Sequence, residues 1–190
     1  MTNFQQRLLS SLLLVPIALL FIIKGTYFFN FFILICLIVS IYEWLLLSRN
    51  KQYKIPGIIF LIISFYTAYY LRNYMYGDYL YFILILFICI FTDTGGYIFG
   101  KIFKGPKLTK ISPKKTYAGV VGGYFFAIIF MTIFFNYLDY IAKIVNLEVR
   151  SKELSINNFI FTIVISTVSQ LGDIIISYFK RMSKIKDTGK

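Results

Sequence analysis

The feature that most constrains this chain is a succession of apolar segments, each about as long as a bilayer is thick. A membrane-spanning helix needs about 20 apolar residues, and six such segments occur within 190 residues, of which 58% are hydrophobic. A soluble core of this size could not bury so much apolar surface. We therefore predict an all-α, polytopic membrane protein with six transmembrane helices, one in each of these segments: Leu8–Ile23, Phe28–Leu47, Gly57–Leu71, Tyr79–Gly100, Tyr117–Tyr137 and Asn157–Phe179.

The first segment has the length of a secretory signal peptide. However, no small-residue cleavage site follows Ile23, and Lys24-Gly25-Thr26 leads directly into the second segment. We expect the first helix to be retained. No internal repeat or low-complexity tract separates the segments, so we predict a single membrane domain over residues 1–190.

The basic residues predict the orientation of the helices, because positively charged loops resist translocation. With six spans, 15 of the 20 Lys and Arg residues fall on one side of the membrane. That side holds both termini and the loops after the second and fourth helices. We expect both ends of the chain to be cytoplasmic.

The net charge of +12 does not point to nucleic acid, because the basic residues lie between apolar spans. Anionic membrane lipids and phosphorylated substrates are the expected partners. Cys36 and Cys89 lie inside apolar spans and are expected to be small buried hydrophobes. The sequence contains no histidine and no zinc or redox motif.

Three carboxylates lie in apolar spans, where an ionised side chain costs about 2.5–3.5 kcal/mol and usually faces the protein interior or a water-filled cavity. Glu43, next to Trp44 near the end of the second span, could simply extend to the membrane interface. Asp93 and Asp173 are harder to explain in this way. They are the stronger functional candidates.

Asp173 belongs to a polar stripe on the sixth helix. Most steps along the stripe are three or four residues, which places its members on one helical face. They are Ser166, Ser169, Gln170, Asp173, Ser177, Lys180 and Arg181. The Ser and Gln positions could serve only as hydrogen-bonding contacts between helices. For Asp173 we favour a site for a hard divalent cation that holds a polyphosphate, with Lys180 and Arg181 at its cytoplasmic mouth.

The loop after the fourth helix is a second phosphate-binding candidate. Lysine side chains supply charge, Ser and Thr hydroxyls donate hydrogen bonds, and backbone amides at the start of the fifth helix could face an anion. An ordinary basic loop is an equal alternative, with Ser112 or Thr116 as a helix cap and the glycines allowing close helix packing. The residues concerned are Gly105, Ser112-Pro113-Lys114-Lys115-Thr116, Gly119, Gly122 and Gly123.

Two stretches of the sequence resemble the bacterial phosphatidate cytidylyltransferase family. The first comprises Asp93-Thr94-Gly95-Gly96-Tyr97-Ile98-Phe99-Gly100-Lys101, then Lys107-Leu108 and Ile111 to Gly123. The second comprises Gly172-Asp173, then Ser177-Tyr178-Phe179-Lys180-Arg181 and Lys186-Asp187-Thr188-Gly189. Two long motifs in the correct order make the resemblance specific over residues 93–189, whereas the first three helices agree only in character.

The resemblance implies a reaction in which the phosphate of phosphatidate attacks the α-phosphorus of CTP, releasing pyrophosphate and leaving CDP-diacylglycerol. Magnesium is the implied cofactor and the bacterial inner membrane the implied location, whereas a second cation and a homodimer stay open. By correspondence Asp173 binds the metal, and the catalytic elements are Asp173, Lys180, Arg181, Lys186 and Asp187. The implied substrate-binding residues are Ser112, Lys114, Lys115, Thr116, Ser177 and Asp93. Such a transfer needs mainly positioning and charge stabilisation, so no protein nucleophile is expected.

The chain departs from the family pattern at Lys190. In the family, the signature continues with a Pro-x-His-Gly-Gly stretch and an acidic end, whose aspartate shares the metal site with the counterpart of Asp173. We therefore expect this chain to be part of a longer product or a remnant, with an incomplete metal site and little activity of its own.

Three other functions fit part of the sequence. A related polyprenol or dolichol kinase would leave the Lys-Arg-x-x-x-x-Lys-Asp spacing unexplained. A small transporter would use Asp93 and Asp173 as ion sites and predicts flux without nucleotide binding. A non-catalytic assembly subunit predicts a stable complex that does not respond to the substitution Asp173→Asn.

Overall fold

The chain forms six α-helices. The structure is a computed structural model that describes residues 3–49, 51–74, 79–109, 112, 115–145 and 156–183; within these ranges the description of side chains leaves out 3–13, 26, 139 and 141–145. The helices are α1 (Asn3–Lys24), α2 (Thr26–Leu47), α3 (Lys54–Asn73), α4 (Tyr79–Phe103), α5 (Tyr117–Val145) and α6 (Ile156–Met182). Within the described ranges the only strand-like pairing is an isolated antiparallel bridge between Lys107 and Thr116.

Each predicted span lies inside one of these helices, which confirms the all-α fold class. Five helices, α2 to α6, are long and apolar enough to cross a membrane. In α1 the apolar stretch with described side chains, Leu14–Lys24, is shorter than a full span. The main difference from prediction is at α5, which continues to Val145 because no helix-breaking residue follows Tyr137. The chain is a multi-pass membrane protein.

The helix boundaries coincide with glycine and proline positions. Gly25, between α1 and α2, has φ +64°, a conformation that favours glycine. The end of α4 is followed by Lys104 with φ 52° and Gly105 with φ 50°, and then by Pro106, a succession typical of a helix C-terminus. Pro56 is accommodated in the first turn of α3, where no intrahelical N–H bond is required.

The chain divides into two compact units. The first holds α1 to α3 and the start of α4 up to Ile83. Its buried centre contains Ile22, Phe29 and Phe82, and the rings of Phe29 and Phe82 meet edge to face with centroids 5.3 Å apart. The single membrane domain over residues 1–190 stays a prediction.

The second unit begins at Leu84 and holds most of α4 together with α5 and α6. Here α4 and α5 approach so closely that a Cβ atom built on Gly119 would lie 2.8 Å from the carbonyl oxygen of Gly96. Gly95 and Gly122 form a second close contact between the same helices. Glycine has no side chain to separate the two helices, so their backbones pack directly against each other.

Most large apolar side chains remain exposed on the helix surfaces, and α3 buries none of its residues. In water such a surface would drive aggregation, whereas lipid chains are as apolar as leucine and solvate it. Among the described residues, the buried polar side chains are Ser48, Thr92, Thr162 and Ser166. Two of them, Thr92 and Ser166, meet in the second unit.

Candidate active site

A cavity of about 240 Å³ lies among α4, α5, α6 and the segment just before α5. It combines two carboxylates, one ammonium group, two threonine hydroxyls and one carboxamide. Its lining residues are Thr92, Asp93, Gly96, Tyr97, Lys115, Thr116, Gly119, Val120, Gln170 and Asp173. All of them belong to the second compact unit. Such a concentration of convergent polar groups in an apolar bundle is typical of a ligand site.

One buried hydrogen bond joins α4 to α6 beside the cavity, and a second hydrogen bond within α6 extends it. The hydroxyl of Thr92 donates to the hydroxyl oxygen of Ser166 over 2.9 Å, and both side chains are buried. The carboxamide Nε2 of Gln170 donates to the same oxygen over 3.4 Å. Because Asp93 follows Thr92 and Asp173 lies one turn beyond Gln170, this network fixes the two helices that carry the carboxylates.

The cation of the cavity is Lys115. Its Nζ lies 2.9 Å from Oδ2 of Asp173 and 3.3 Å from the backbone oxygen of Gln170. The pair is only partly shielded, since the Lys115 side chain is 27% exposed and that of Asp173 is 54% exposed. It is the one ion pair found among the residues that the structure describes.

The backbone around Lys115 is held on both sides. Its N–H donates to the carbonyl oxygen of Ser112 over 3.0 Å, and its own carbonyl oxygen accepts from the N–H of Leu108 over 2.8 Å. The side chain therefore starts from a fixed point at the entrance to α5. Its four-carbon stem is the flexible part.

Thr116 caps α5. Its Oγ1 accepts the N–H of Gly119 over 3.1 Å, which is the helix-cap alternative raised by the sequence. The N–H of Tyr117 donates to the Pro106 oxygen over 3.2 Å. Two amides of the first turn are thus already bonded, so anion binding at this point depends mainly on side chains. The Thr116 hydroxyl hydrogen remains able to donate, because Oγ1 acts only as the acceptor in the capping bond.

The two aspartates are compatible with magnesium. Magnesium usually keeps several waters and is bound by one or two carboxylates together with substrate phosphates, rather than by an all-protein cage. Asp93 and Asp173 line the same cavity, and they supply hard oxygen ligands of the required type. Across the described parts of the chain, no group of three or more His, Cys, Asp or Glu side chains is placed to hold a metal ion. The two carboxylates therefore fit a cation whose remaining ligands are water molecules and substrate phosphates.

Comparison with known proteins identifies the family. The model of the cytidylyltransferase family matches the chain in two overlapping stretches, residues 5–77 and 59–190. The chain belongs to this family. The matched stretches extend over both compact units and include every residue that lines the cavity.

Several curated relatives are similar over most of the chain. A phosphatidate cytidylyltransferase of Rickettsia conorii is 32% identical over 99% of this chain and 80% of the relative. One of Staphylococcus haemolyticus is 33% identical over 78% of this chain and 54% of the relative. One of Rickettsia prowazekii is 35% identical over 56% of this chain and 46% of the relative. No solved structure matches the chain.

Of the predicted site residues, the structure brings Asp93, Lys115, Thr116 and Asp173 together around the cavity. It places four others elsewhere: Ser112, Ser177, Lys180 and Arg181. The remaining three, Lys114, Lys186 and Asp187, lie outside the described residues.

The four residues that do not line the cavity have identifiable local positions. The Ser177 hydroxyl donates to the backbone oxygen of Asp173 over 2.7 Å, within its own helix. Ser112 lies in the loop, where its N–H donates to Oγ1 of Thr109 over 3.1 Å. Lys180 and Arg181 occupy the last turn of α6, about 10–12 Å along the helix axis from Asp173 at 1.5 Å per residue.

Sequence reasoning underestimated two residues of the site. For Gln170 the sequence left helix packing open as an alternative; in the structure it lines the cavity, and its backbone oxygen accepts a hydrogen bond from the Lys115 ammonium. Thr92 carries no signal beyond its position before Asp93, and its role follows from burial against Ser166. Tyr97, 69% exposed, lines the cavity and lies under the ammonium of Lys101, which is 5.8 Å from the ring centroid.

Proposed function

We propose that this chain acts as a phosphatidate cytidylyltransferase, forming CDP-diacylglycerol and pyrophosphate from CTP and phosphatidate. Membership of the cytidylyltransferase family and its similarity to phosphatidate cytidylyltransferases support the reaction. One structural observation carries the assignment to a site: the Lys115–Asp173 pair, which shares a cavity with Asp93. A phosphate oxygen of phosphatidate would attack the α-phosphorus of CTP, and the bond between the α- and β-phosphates would break.

The cavity is suited to the phosphates rather than to the whole nucleotide. Its volume of about 240 Å³ is below the range of roughly 300–1,000 Å³ typical of sites for drug-sized ligands. Lys115 would neutralise phosphate oxygens as a point charge, and the hydroxyl of Thr116 would donate to one of them. The cytosine and the acyl chains would then extend from this polar centre along the helix surfaces.

Magnesium is the cofactor we propose, held by Asp173 with Asp93 beside it. When bound, it would withdraw charge from the phosphate oxygens and orient the leaving pyrophosphate. The tasks left to the protein are to keep both carboxylates on one cavity and to bring a cation to the phosphates. The Thr92–Ser166 bond and the position of Lys115 before α5 serve these tasks.

The orientation in the membrane is also a proposal. The excess of basic residues on one side supports cytoplasmic termini, and this places the Asp173 end of α6 and the start of α5 on the side where CTP is found. We therefore propose the bacterial cytoplasmic membrane as the location. A homodimer and a second cation stay predictions.

The test uses the 190-residue chain in lipid nanodiscs. CTP binding is measured by equilibrium dialysis with and without Mg²⁺, and turnover is measured as transfer of radiolabel from CTP into lipid in the presence of phosphatidate. We expect Mg²⁺-dependent binding of CTP in preference to ATP. Substituting Asp173→Asn removes the negative charge of the proposed magnesium ligand, and with it the stabilisation that the bound metal would give to the phosphate charges. Turnover should fall by about 100-fold or more.

The matched control is Glu43→Gln, which removes a carboxylate from α2, in the other compact unit. We expect this variant to bind CTP as the unmodified chain does. Mg²⁺-independent binding, equal affinity for ATP and CTP, or unchanged binding and turnover after Asp173→Asn would contradict the proposed function.

A further inference from the structure

The Lys115 ammonium is bound to one carboxylate oxygen of Asp173, the residue proposed to bind the metal ion. Its Nζ lies 2.9 Å from Oδ2 of that carboxylate. Magnesium binds carboxylate oxygens at about 2.0–2.1 Å. An ammonium group and a divalent cation on the same oxygen would repel one another at close range. The two cannot occupy this position together at low cost.

Lys115 is nevertheless free to move away from Asp173. Its backbone is fixed by Ser112 and Leu108, but the side chain is 27% exposed and has a flexible stem. Its second partner, the carbonyl oxygen of Gln170, is 3.3 Å away and uncharged. The rearrangement therefore requires only rotation of one side chain.

We propose that Lys115 acts as an exchangeable counter-ion: it pairs with Asp173 in the metal-free protein, the incoming cation displaces it, and its ammonium then moves to a substrate phosphate. The metal site of the proposed function is a premise of this inference. The exchange keeps the Asp173 carboxylate compensated before metal arrives, which matters because an unpaired ionised group in a membrane helix is costly. It also makes the phosphate-binding cation available only after the metal is bound.

For the removal of Lys115, this inference predicts a change in metal affinity opposite in sign to the change expected if the ion pair is purely structural. If Lys115 only held Asp173 in position, its removal would weaken metal binding. If Lys115 competes with the metal, its removal strengthens binding. A partly exposed pair is worth up to about 1 kcal/mol, so the gain in metal affinity should be about fivefold.

The experiment measures Mn²⁺ affinity by electron paramagnetic resonance, with the full chain in phosphatidylcholine nanodiscs and without nucleotide. Lys115→Met should bind Mn²⁺ about fivefold more tightly than the unmodified chain, and Lys115→Arg, which keeps the charge, should not. Lys107→Met removes an exposed lysine of the same loop that does not line the cavity. It controls for the general change in loop charge and should leave the affinity unchanged.

A second readout follows the other half of the exchange. At saturating Mn²⁺, Lys115→Met should bind CTP about tenfold more weakly, because one charge-assisted contact to phosphate is lost. If Lys115→Met proves unstable in nanodiscs, Lys115→Gln, which retains a hydrogen-bond donor without the charge, replaces it in both measurements.

Unchanged or weaker Mn²⁺ binding in the uncharged variants would overturn the exchange while leaving the metal site intact. Equal strengthening by Lys107→Met would overturn it as well, because the effect would then come from loop charge in general. Absence of Mn²⁺ binding in the unmodified chain would overturn the metal site itself, and the exchange with it.

Discussion

The close crossing of α4 and α5 predicts that Gly122→Ala destabilises the second compact unit. A Cβ atom on Gly122 would meet the carbonyl oxygen of Gly95 at 2.7 Å and would contact the side chain of Phe99 even more closely. The carbonyl is part of a helix backbone, so it can retreat only if α4 moves. The Phe99 ring is itself enclosed, with the ring of Phe126 centred 5.9 Å away and that of Phe103 centred 5.2 Å away.

The expected magnitude follows from two opposing effects. Overpacking by one methyl group typically costs about 1–3 kcal/mol, and here the upper half applies because neither neighbour is the free end of a flexible side chain. Replacing glycine by alanine inside a helix returns up to about 1 kcal/mol. The net loss for Gly122→Ala should be about 1–2 kcal/mol. Gly172→Ala is the matched control, because nothing lies within 4 Å of its Cβ position, and it should be neutral or slightly stabilising.

The assay is thermal unfolding in detergent, followed with a thiol-reactive fluorophore. Cys36 and Cys89 are the two cysteines of the chain, so a Cys36→Ser background makes the dye report Cys89, which lies half-buried in α4. On the scaling for soluble proteins of 150–250 residues, each kcal/mol corresponds to about 2–4 °C. Gly122→Ala should therefore melt about 2–8 °C lower. A melting temperature equal to that of the parent, or an equal loss in Gly172→Ala, would refute the reasoning.

Two further experiments test the contacts that hold each unit together. A double-mutant cycle of Thr92→Val and Ser166→Ala in the same thiol assay should give a coupling of about 0.6 kcal/mol and at most about 1.7 kcal/mol; additive effects would show that the 2.9 Å bond contributes nothing. Arg72→Met should destabilise the first unit by about 1.5–3 kcal/mol, because Nη2 and Nε of Arg72 donate to the carbonyl oxygen of Ile22 over 2.8 Å and 3.1 Å. That loss is measured with Cys36 as the reporter in a Cys89→Ser background, and Lys24→Met, at the same end of α1, should change the melting temperature less.

Local sequence patterns predicted the helices and one face of the site. The spans agreed with the helices because length and apolarity are properties of contiguous residues. Helical periodicity also predicted that Ser166, Gln170 and Asp173 share a face, and the structure confirms that this face meets α4 and the cavity. Prediction and structure therefore agree for those features that depend on the sixth helix alone.

Periodicity could not predict how far along that face the site extends. The same stripe led us to place Lys180 and Arg181 at the mouth of the metal site, but neither lines the cavity. A helical period determines the direction in which a side chain points, whereas the extent of a cavity depends on every helix that surrounds it. Ser112 was assigned both by the chemistry of the loop and by resemblance; it does not line the cavity, and its backbone N–H donates to Thr109.

The sequence by itself determined that this is a helical membrane protein, that the carboxylates Asp93 and Asp173 lie in apolar spans, and that a basic loop precedes α5. The first conclusion rests on the length and apolarity of contiguous segments, and the weight given to the two carboxylates rests on the cost of charges in such segments; both are independent of packing. Only the tertiary structure decided that Lys115 meets Asp173 across a separation of 58 residues. That choice depends on how closely α4, α5 and α6 approach, and the approach is set by glycine contacts and one buried hydrogen bond between helices that are distant in sequence.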